Sequence, residues 1–150
     1  MMKNNNYIKK QLTMFIVMVI VGITCNPMNM LAYRKNDVLL STTLIYGGLL
    51  MASNMIWAHE IVHYLSMGHI NIKTFLFGII LSFIIVKFLL RNQLFVDDEQ
   101  WLKRMISHHS TAITTSHNIY NKTNNIKVKQ LAENIINTQE KEIEEMKQLL

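Results

Sequence analysis

The sequence predicts an all-α protein in which three membrane-spanning helices precede a C-terminal antiparallel helical hairpin. Three observations about the residues predict this fold. First, 50% of the 150 residues are hydrophobic, and residues 12–90 are strongly apolar. Second, residues 97–150 are polar but carry apolar side chains at helical spacing. Third, the single proline, Pro27, and the 5 glycines argue against a loop-rich β fold.

The predicted membrane region covers residues 1–91, with helices at about 12–33, 38–58 and 74–90. A bilayer requires roughly 20 apolar residues, so the first helix crosses only if it continues through Pro27, a kink that neighbouring helices tolerate. The second helix is the clearest span. A cleaved signal peptide is the alternative for the first segment, because a basic start precedes its apolar core.

The net charge of +5 comes from Lys and Arg residues that are scattered or that flank apolar segments. This distribution is typical of membrane anchors, so we expect membrane lipid as a partner and no nucleic acid. Basic residues flank both ends of the spans and do not fix the orientation. Three spans with the N-terminus inside, or a cleaved signal followed by two spans, both place the hairpin on the extracytoplasmic or lumenal side.

The C-terminal hairpin, residues 97–150, is predicted to begin at Asp97, which caps its first helix with Gln100 placed for a capping box. Its turn covers residues 121–125. Antiparallel pairing brings residue i beside residue about 247 minus i, within a turn. Polar residues interrupt both apolar stripes at the same level. The hairpin is therefore predicted to contain one layer made of Met105, His108, His109, Gln139, Glu142 and Met146.

This layer has two interpretations that the residues alone leave open. Imidazole and thioether groups are metal ligands, and thioethers favour Cu(I). Alternatively, the His, Gln and Glu side chains form a hydrogen-bonded network that specifies the packing of the two helices, since buried polar groups must be satisfied.

Two runs of the hairpin, WLKRMISHHSTAITTSH and LAENIINTQEKEIEEMKQLL, resemble the domain of unknown function 305 family. The shared motifs are a Met before a His-His pair and a later Gln-x-x-Glu-Ile-x-x-Met run. The resemblance implies a ferritin-like helical fold in a secreted bacterial or viral protein, with copper bound through Met and His. Ser107 stands where family members often have proline. Because only one hairpin is present, the resemblance implies that a homo-oligomer completes a four-helix bundle.

A second motif, His59-Glu60-Ile61-Val62-His63, is an HExxH sequence, which places two imidazoles on one helix face with a Glu as base. His69 follows at the spacing of the third ligand in metzincin proteases, although Ser66 replaces their glycine. Three interpretations remain open: a second metal site formed by His59, Glu60, His63 and His69, a membrane zinc peptidase, and polar residues that end the second helix at the membrane interface.

We therefore expect a membrane-anchored protein that binds and handles copper through the hairpin layer, with zinc or iron as alternative metals. A structural protein of a virus or envelope, whose histidine layer serves packing only, is the main alternative. A di-iron site is disfavoured because Glu142 is the single carboxylate predicted in the layer. No other catalytic constellation is evident, and the lone Cys25 excludes a cysteine-based zinc cluster.

Overall fold

The computed structural model describes the backbone of residues 2–150 and the side chains of residues 7–150. Within that range the chain is helical and has no strand, which confirms the all-α class. Six α-helices are present: α1 (Met2–Thr24), α2 (Pro27–Met30), α3 (Thr42–Met67), α4 (Ile72–Ile84), α5 (Asp98–Lys122) and α6 (Ile126–Gln148). A 3₁₀ turn covers Lys35–Asp37, and a π-helical stretch, Ile85–Leu90, continues α4.

The chain divides into two compact units. The first contains α1, α3 and α4 and ends at Phe95. The second combines Cys25–Thr42 with Val96–Leu150, so the hairpin has an additional segment from earlier in the chain. Sequence analysis divides the chain near residue 91 and does not anticipate this second contribution.

In the first unit, α3 is antiparallel to both α1 and α4, and small residues bring the backbones close together. A Cβ on Gly22 would lie 2.8 Å from the Cα of Gly48, and a Cβ on Gly78 would lie 2.9 Å from the backbone nitrogen of Trp57. The hydroxyls of Ser53 and Ser82 are 2.9 Å apart and join α3 to α4. Larger side chains at the three glycines would push these helices apart.

Two stretches are long and apolar enough to cross a membrane, Tyr7–Met30 and Ile72–Leu90. They agree with the first and third predicted spans, although the first begins earlier than residue 12. The helix predicted to span at 38–58 is not among the stretches that meet this measure. It begins only at Thr42 and carries Asn54, His59 and Glu60, whose polarity lowers its mean hydropathy.

In the second unit, α5 and α6 form the predicted antiparallel hairpin, joined by Thr123–Asn125. Asp97 Oδ1 accepts a hydrogen bond from the backbone N–H of Gln100 (2.9 Å), which confirms the predicted cap. The capping box is wrong, because Gln100 Oε1 instead accepts from the backbone N–H of Thr42 (2.8 Å). The hairpin core consists of Leu102, Ile106, Ile113, Ile143 and Met146.

Residues 25–42, here called the cover segment, pack along α5 and are held by two buried serines. Ser110 Oγ donates to Asp37 Oδ2 (2.8 Å) and accepts from the backbone N–H of Tyr33 (2.8 Å). Ser107 Oγ donates to the carbonyl of Asp37 (2.7 Å) and accepts from the N–H of Leu39 (3.2 Å). Ser107, the departure from the family pattern, thus fastens a segment of the same chain over the hairpin.

The cover segment changes the expectation for assembly. Sequence analysis assigns the covering of the hairpin to a second copy in a four-helix bundle. The described residues instead cover part of α5 with their own cover segment, and no four-helix bundle forms within them. Self-association and the ferritin-like bundle remain predictions.

Candidate functional site

The predicted layer centres on a contact between His109 on α5 and Glu142 on α6. Nε2 of His109 lies 2.8 Å from Oε2 of Glu142, and Nδ1 lies 2.9 Å from the backbone carbonyl of Met105. Both partners can accept a hydrogen bond, so the imidazole is held on both sides, by the backbone of α5 at Nδ1 and by Glu142 at Nε2.

The two methionines of the layer lie on the apolar side of this pair. Met146 is buried in the hairpin core, and Met105 packs against the same core. They are placed one helical turn from His109 and Glu142 along their helices, at positions i−4 and i+4. The structure thus brings both thioethers to the level that sequence analysis predicts, where they contribute to packing.

Gln139 and His108 complete the predicted set. Oε1 of Gln139 is buried and accepts no hydrogen bond from the described residues. Gln139 precedes Glu142 by three residues and therefore lies on the same face of α6. His108 is exposed, and its ring centroid is 5.9 Å from that of His109 in an edge-on arrangement. Partial burial, followed by the nearby His109 and Arg104, lowers the pKa of His108.

The register of the hairpin agrees with the prediction to within one turn. Sequence analysis places His109 opposite Thr138–Gln139, and the structure pairs it with Glu142. The same rule predicts Met105 opposite Glu142. Met105 instead packs against the core that contains Met146, which is a displacement in the same direction. The displacement is about four residues, or about one helical turn.

Three ion pairs of the second unit were not predicted from the sequence. Asp37 is completely buried and lies 2.7 Å from Nζ of Lys147 on α6. Arg34 forms exposed ion pairs with Glu140 and Glu144 of the same helix. The residues of each pair are more than 100 positions apart, so no local periodicity predicts the contact. From the sequence, Arg34 is interpreted as a charge that flanks a membrane span.

The part of the chain that the structure describes contains no group of three or more His, Cys, Asp or Glu side chains arranged to hold a metal ion. Within the layer, His109 and Glu142 are in contact, whereas His108 is exposed and its ring centroid is 5.9 Å from that of His109. Gln139 and the two methionines contribute an amide oxygen and thioethers to the same layer. The donor set is therefore mixed, and the chemistry of its members decides which metal it suits.

The HExxH residues lie in the first unit around the connection between α3 and α4. The rings of His59 and His63 are stacked with centroids 6.4 Å apart, and His63 Nδ1 lies 2.7 Å from the carbonyl of His69. Glu60 is buried and faces other partners. Its Oε1 accepts from the hydroxyl of Tyr7, and its Oε2 accepts from the backbone N–H of Asn71 (2.9 Å).

Through these hydrogen bonds, Glu60 on α3 joins α1 to the residue that precedes α4. A general base needs a carboxylate oxygen within reach of a proton on substrate or water. Both oxygens of Glu60 are engaged by the protein. The arrangement favours the interpretation that these are polar residues that organise the helix ends.

Comparison with known proteins gives two matches. The family model described as a domain of unknown function (DUF305) matches residues 90–150. The uncharacterized protein L153 of Acanthamoeba polyphaga mimivirus is 38% identical over 142 residues, covering 92% of this chain and 91% of that protein. The chain belongs to the DUF305 family. No solved structure matches it.

The DUF305 match begins before α5 and includes all six residues of the layer. The similarity to the viral protein extends further, because it covers nearly the whole chain and therefore most of the apolar first unit. Membership of the DUF305 family thus confirms the resemblance carried by the two hairpin motifs.

Proposed function

We propose that this DUF305 protein is anchored in a membrane and binds copper through the His109–Glu142 layer of its hairpin. One observation supports the proposal: the imidazole of His109 is held in one orientation. Its Nδ1 is fixed by the carbonyl of Met105, and its Nε2 points at a carboxylate. Metal-bound histidines typically have their second nitrogen held in this way by a backbone carbonyl.

The donors around His109 fit a soft or borderline metal. The buried Oε1 of Gln139 lacks a donor among the described residues and is a neutral oxygen ligand on the same face as Glu142. Thioethers of Met105 and Met146 lie one turn away and favour Cu(I) over Zn(II). A metal ion competes with protons for an imidazole nitrogen, so binding should weaken on acidification.

The experiment is a competition titration of the full-length protein with Cu(I), Cu(II) and Zn(II). We expect Cu(I) to bind in a 1:1 ratio with an affinity tighter than about micromolar, which corresponds to roughly 8 kcal/mol. His109→Ala should weaken binding by at least tenfold. His117→Ala, on the same helix outside the layer, is the matched control and should leave it unchanged. Binding that is unaffected by His109→Ala would refute the site.

We propose that α3 is a third membrane span. Only 6% and 11% of the residues in the apolar stretches of the two candidate spans are buried, so their side chains need an apolar surrounding. α3 contacts α1 at Gly48 and Glu60 and contacts α4 at Ser53 and Trp57. A helix that runs antiparallel along both spans occupies the same depth of the membrane. Its two buried polar side chains, Ser53 and Glu60, are hydrogen-bonded within the unit, as a spanning helix requires.

Three spans leave the hairpin on the side opposite the N-terminus. We propose that this side is extracytoplasmic or lumenal, where a secreted-type metal-binding domain meets its metal. Copper would then bind between α5 and α6 outside the reducing cytoplasm. This agrees with a site that contains Met and His but no cysteine.

Exposed apolar side chains at the end of the hairpin near its turn support self-association. Ile119, Ile126 and Leu131 are exposed there, with 43%, 73% and 59% of their surfaces accessible. The cover segment contacts α5 near its middle, at Ser107, Ser110 and Thr111, and Tyr33 stacks on His117 nearer the turn. We propose that a second copy buries the uncovered apolar residues. A monomeric mass in mild detergent would contradict this assembly.

A structural role in a viral membrane is the second candidate. The observation that favours it is that the His109–Glu142 pair is satisfied without any metal and that Met146 is already part of the apolar core. The mimivirus relative supports a viral setting. This candidate predicts that His109→Ala destabilises the hairpin while no copper binds to the unaltered protein, so the titration above separates the two functions.

A further inference from the structure

The first unit has a partly open cavity of about 390 Å³ between α1, α3 and α4. This volume falls in the range of roughly 300–1,000 Å³ that is typical of sites for small molecules. Most of its wall is apolar and is formed by Ile8, Leu12, Phe15, Ile56, Phe77 and Leu81. The cavity therefore suits a molecule with an apolar body.

One end of this cavity is polar, where Tyr7, Gln11 and Thr74 line it. The amide nitrogen of Gln11 lies 3.2 Å from the hydroxyl of Tyr7 and 3.4 Å from Nδ1 of His59. The amide oxygen of Gln11 is buried and has no hydrogen-bond partner among the described residues. The free group at this end is thus an acceptor that needs a donor.

The neighbours of Gln11 restrict which donor can enter. The hydroxyl of Tyr7 donates to the carboxylate of Glu60 and is therefore committed within the protein. That buried carboxylate also disfavours a ligand with an anionic head, because like charges in a desolvated site repel. A neutral hydroxyl group on an apolar body satisfies both conditions.

We propose that this cavity binds a neutral lipid alcohol, whose hydroxyl donates to Oε1 of Gln11 and whose apolar body lies along the wall. Sterols and acylglycerols share this chemistry. The inference depends on the cavity and on Gln11, and it is independent of copper binding in the hairpin. Its polar end lies at the starts of both candidate spans, because Tyr7 and Thr74 stand near their first residues. That position is where lipid hydroxyls reside in a bilayer.

Photolabelling of the full-length protein in lipid nanodiscs tests the proposal. The probes are a photoreactive sterol and a photoreactive diacylglycerol, each compared with its own methyl ether, which lacks the donor hydrogen. We expect at least one alcohol to label the protein two- to tenfold more than its ether, as one hydrogen bond allows. The label should map to the cavity wall, at residues such as Phe15 and Phe77. The preferred probe identifies the class of lipid.

Variants then assign the hydroxyl contact. Gln11→Leu should remove the difference between alcohol and ether, whereas Thr13→Leu, an exposed position on the same helix, should preserve it. Ile56→Phe, which fills the cavity, should lower labelling by the alcohol. Equal labelling of the unaltered protein by alcohol and ether, or labels confined to residues outside the cavity, would overturn the proposal, and this comparison needs no variant to fold.

Discussion

Nζ of Lys147 lies 2.7 Å from Oδ1 of Asp37, and the carboxylate of Asp37 is completely buried. The pair joins the last turn of α6 to the cover segment, which is also held to α5 by Ser110. Asp37 therefore links all three elements of the second unit. A buried charge that is compensated in this way stabilises the fold only while both partners are present.

The first prediction concerns this ion pair. Lys147→Met should lower the free energy of unfolding of the second unit by about 3 kcal/mol, because it leaves the Asp37 carboxylate buried without its cation. Lys141→Met, an exposed position on the same helix, should change it by less than about 0.5 kcal/mol. The measurement is chemical unfolding of the full-length protein in detergent, followed by the fluorescence of Trp101 in a Trp57→Phe background.

A double variant sharpens this test. Asp37→Asn combined with Lys147→Met removes both charges and keeps an oxygen that accepts from Ser110. The double variant should therefore be more stable than Lys147→Met alone. If the two substitutions simply add their costs, the contact between Asp37 and Lys147 does not stabilise the protein.

The second prediction concerns pH and His108. Because the pKa of His108 is lowered in the folded protein, the unfolded chain binds the proton more readily. The stability that depends on neutral His108 is present above 6.5, the ordinary pKa of a histidine side chain, and is lost as the pH falls below that value. His108→Gln should reduce the loss of unfolding free energy between pH 7 and pH 5. An unchanged pH profile in this variant would show that other groups cause the dependence.

The hairpin could be predicted from sequence, whereas its cover segment could not. The repeating apolar positions and the short turn near Thr123 determine which faces of α5 and α6 meet. The contact between His109 and Glu142 could therefore be predicted to within one helical turn. The contacts of Asp37 and Arg34 join positions far apart in the chain, and neither belongs to a periodic pattern. The burial of Glu60 was missed because HExxH spacing says nothing of a tyrosine from another helix.

The third prediction tests the HExxH motif. If Glu60 ties helices together, Glu60→Gln should preserve the fold and the zinc content of the purified protein, since an amide oxygen still accepts from Asn71. Glu60→Leu should cost about 1–3 kcal/mol, because the buried N–H of Asn71 and the hydroxyl of Tyr7 lose their acceptor. Elemental analysis and thermal unfolding provide the two measurements. A peptidase activity that Glu60→Gln abolishes would instead identify Glu60 as a catalytic base.

The last prediction concerns α3, whose length suits a span although its mean hydropathy does not. Ser66 near its end and Lys35 before its start are both exposed, and Cys25 is the single cysteine of the chain. In a Cys25→Ser background, Ser66→Cys and Lys35→Cys each provide one site for a membrane-impermeant maleimide. If α3 crosses the membrane, sealed vesicles should protect one of the two positions and expose the other, and inverted vesicles should reverse the pattern. Labelling of both positions from the same side would show that α3 does not cross. The comparison does not depend on α1, so it gives the same answer whether the first segment is a span or a cleaved signal.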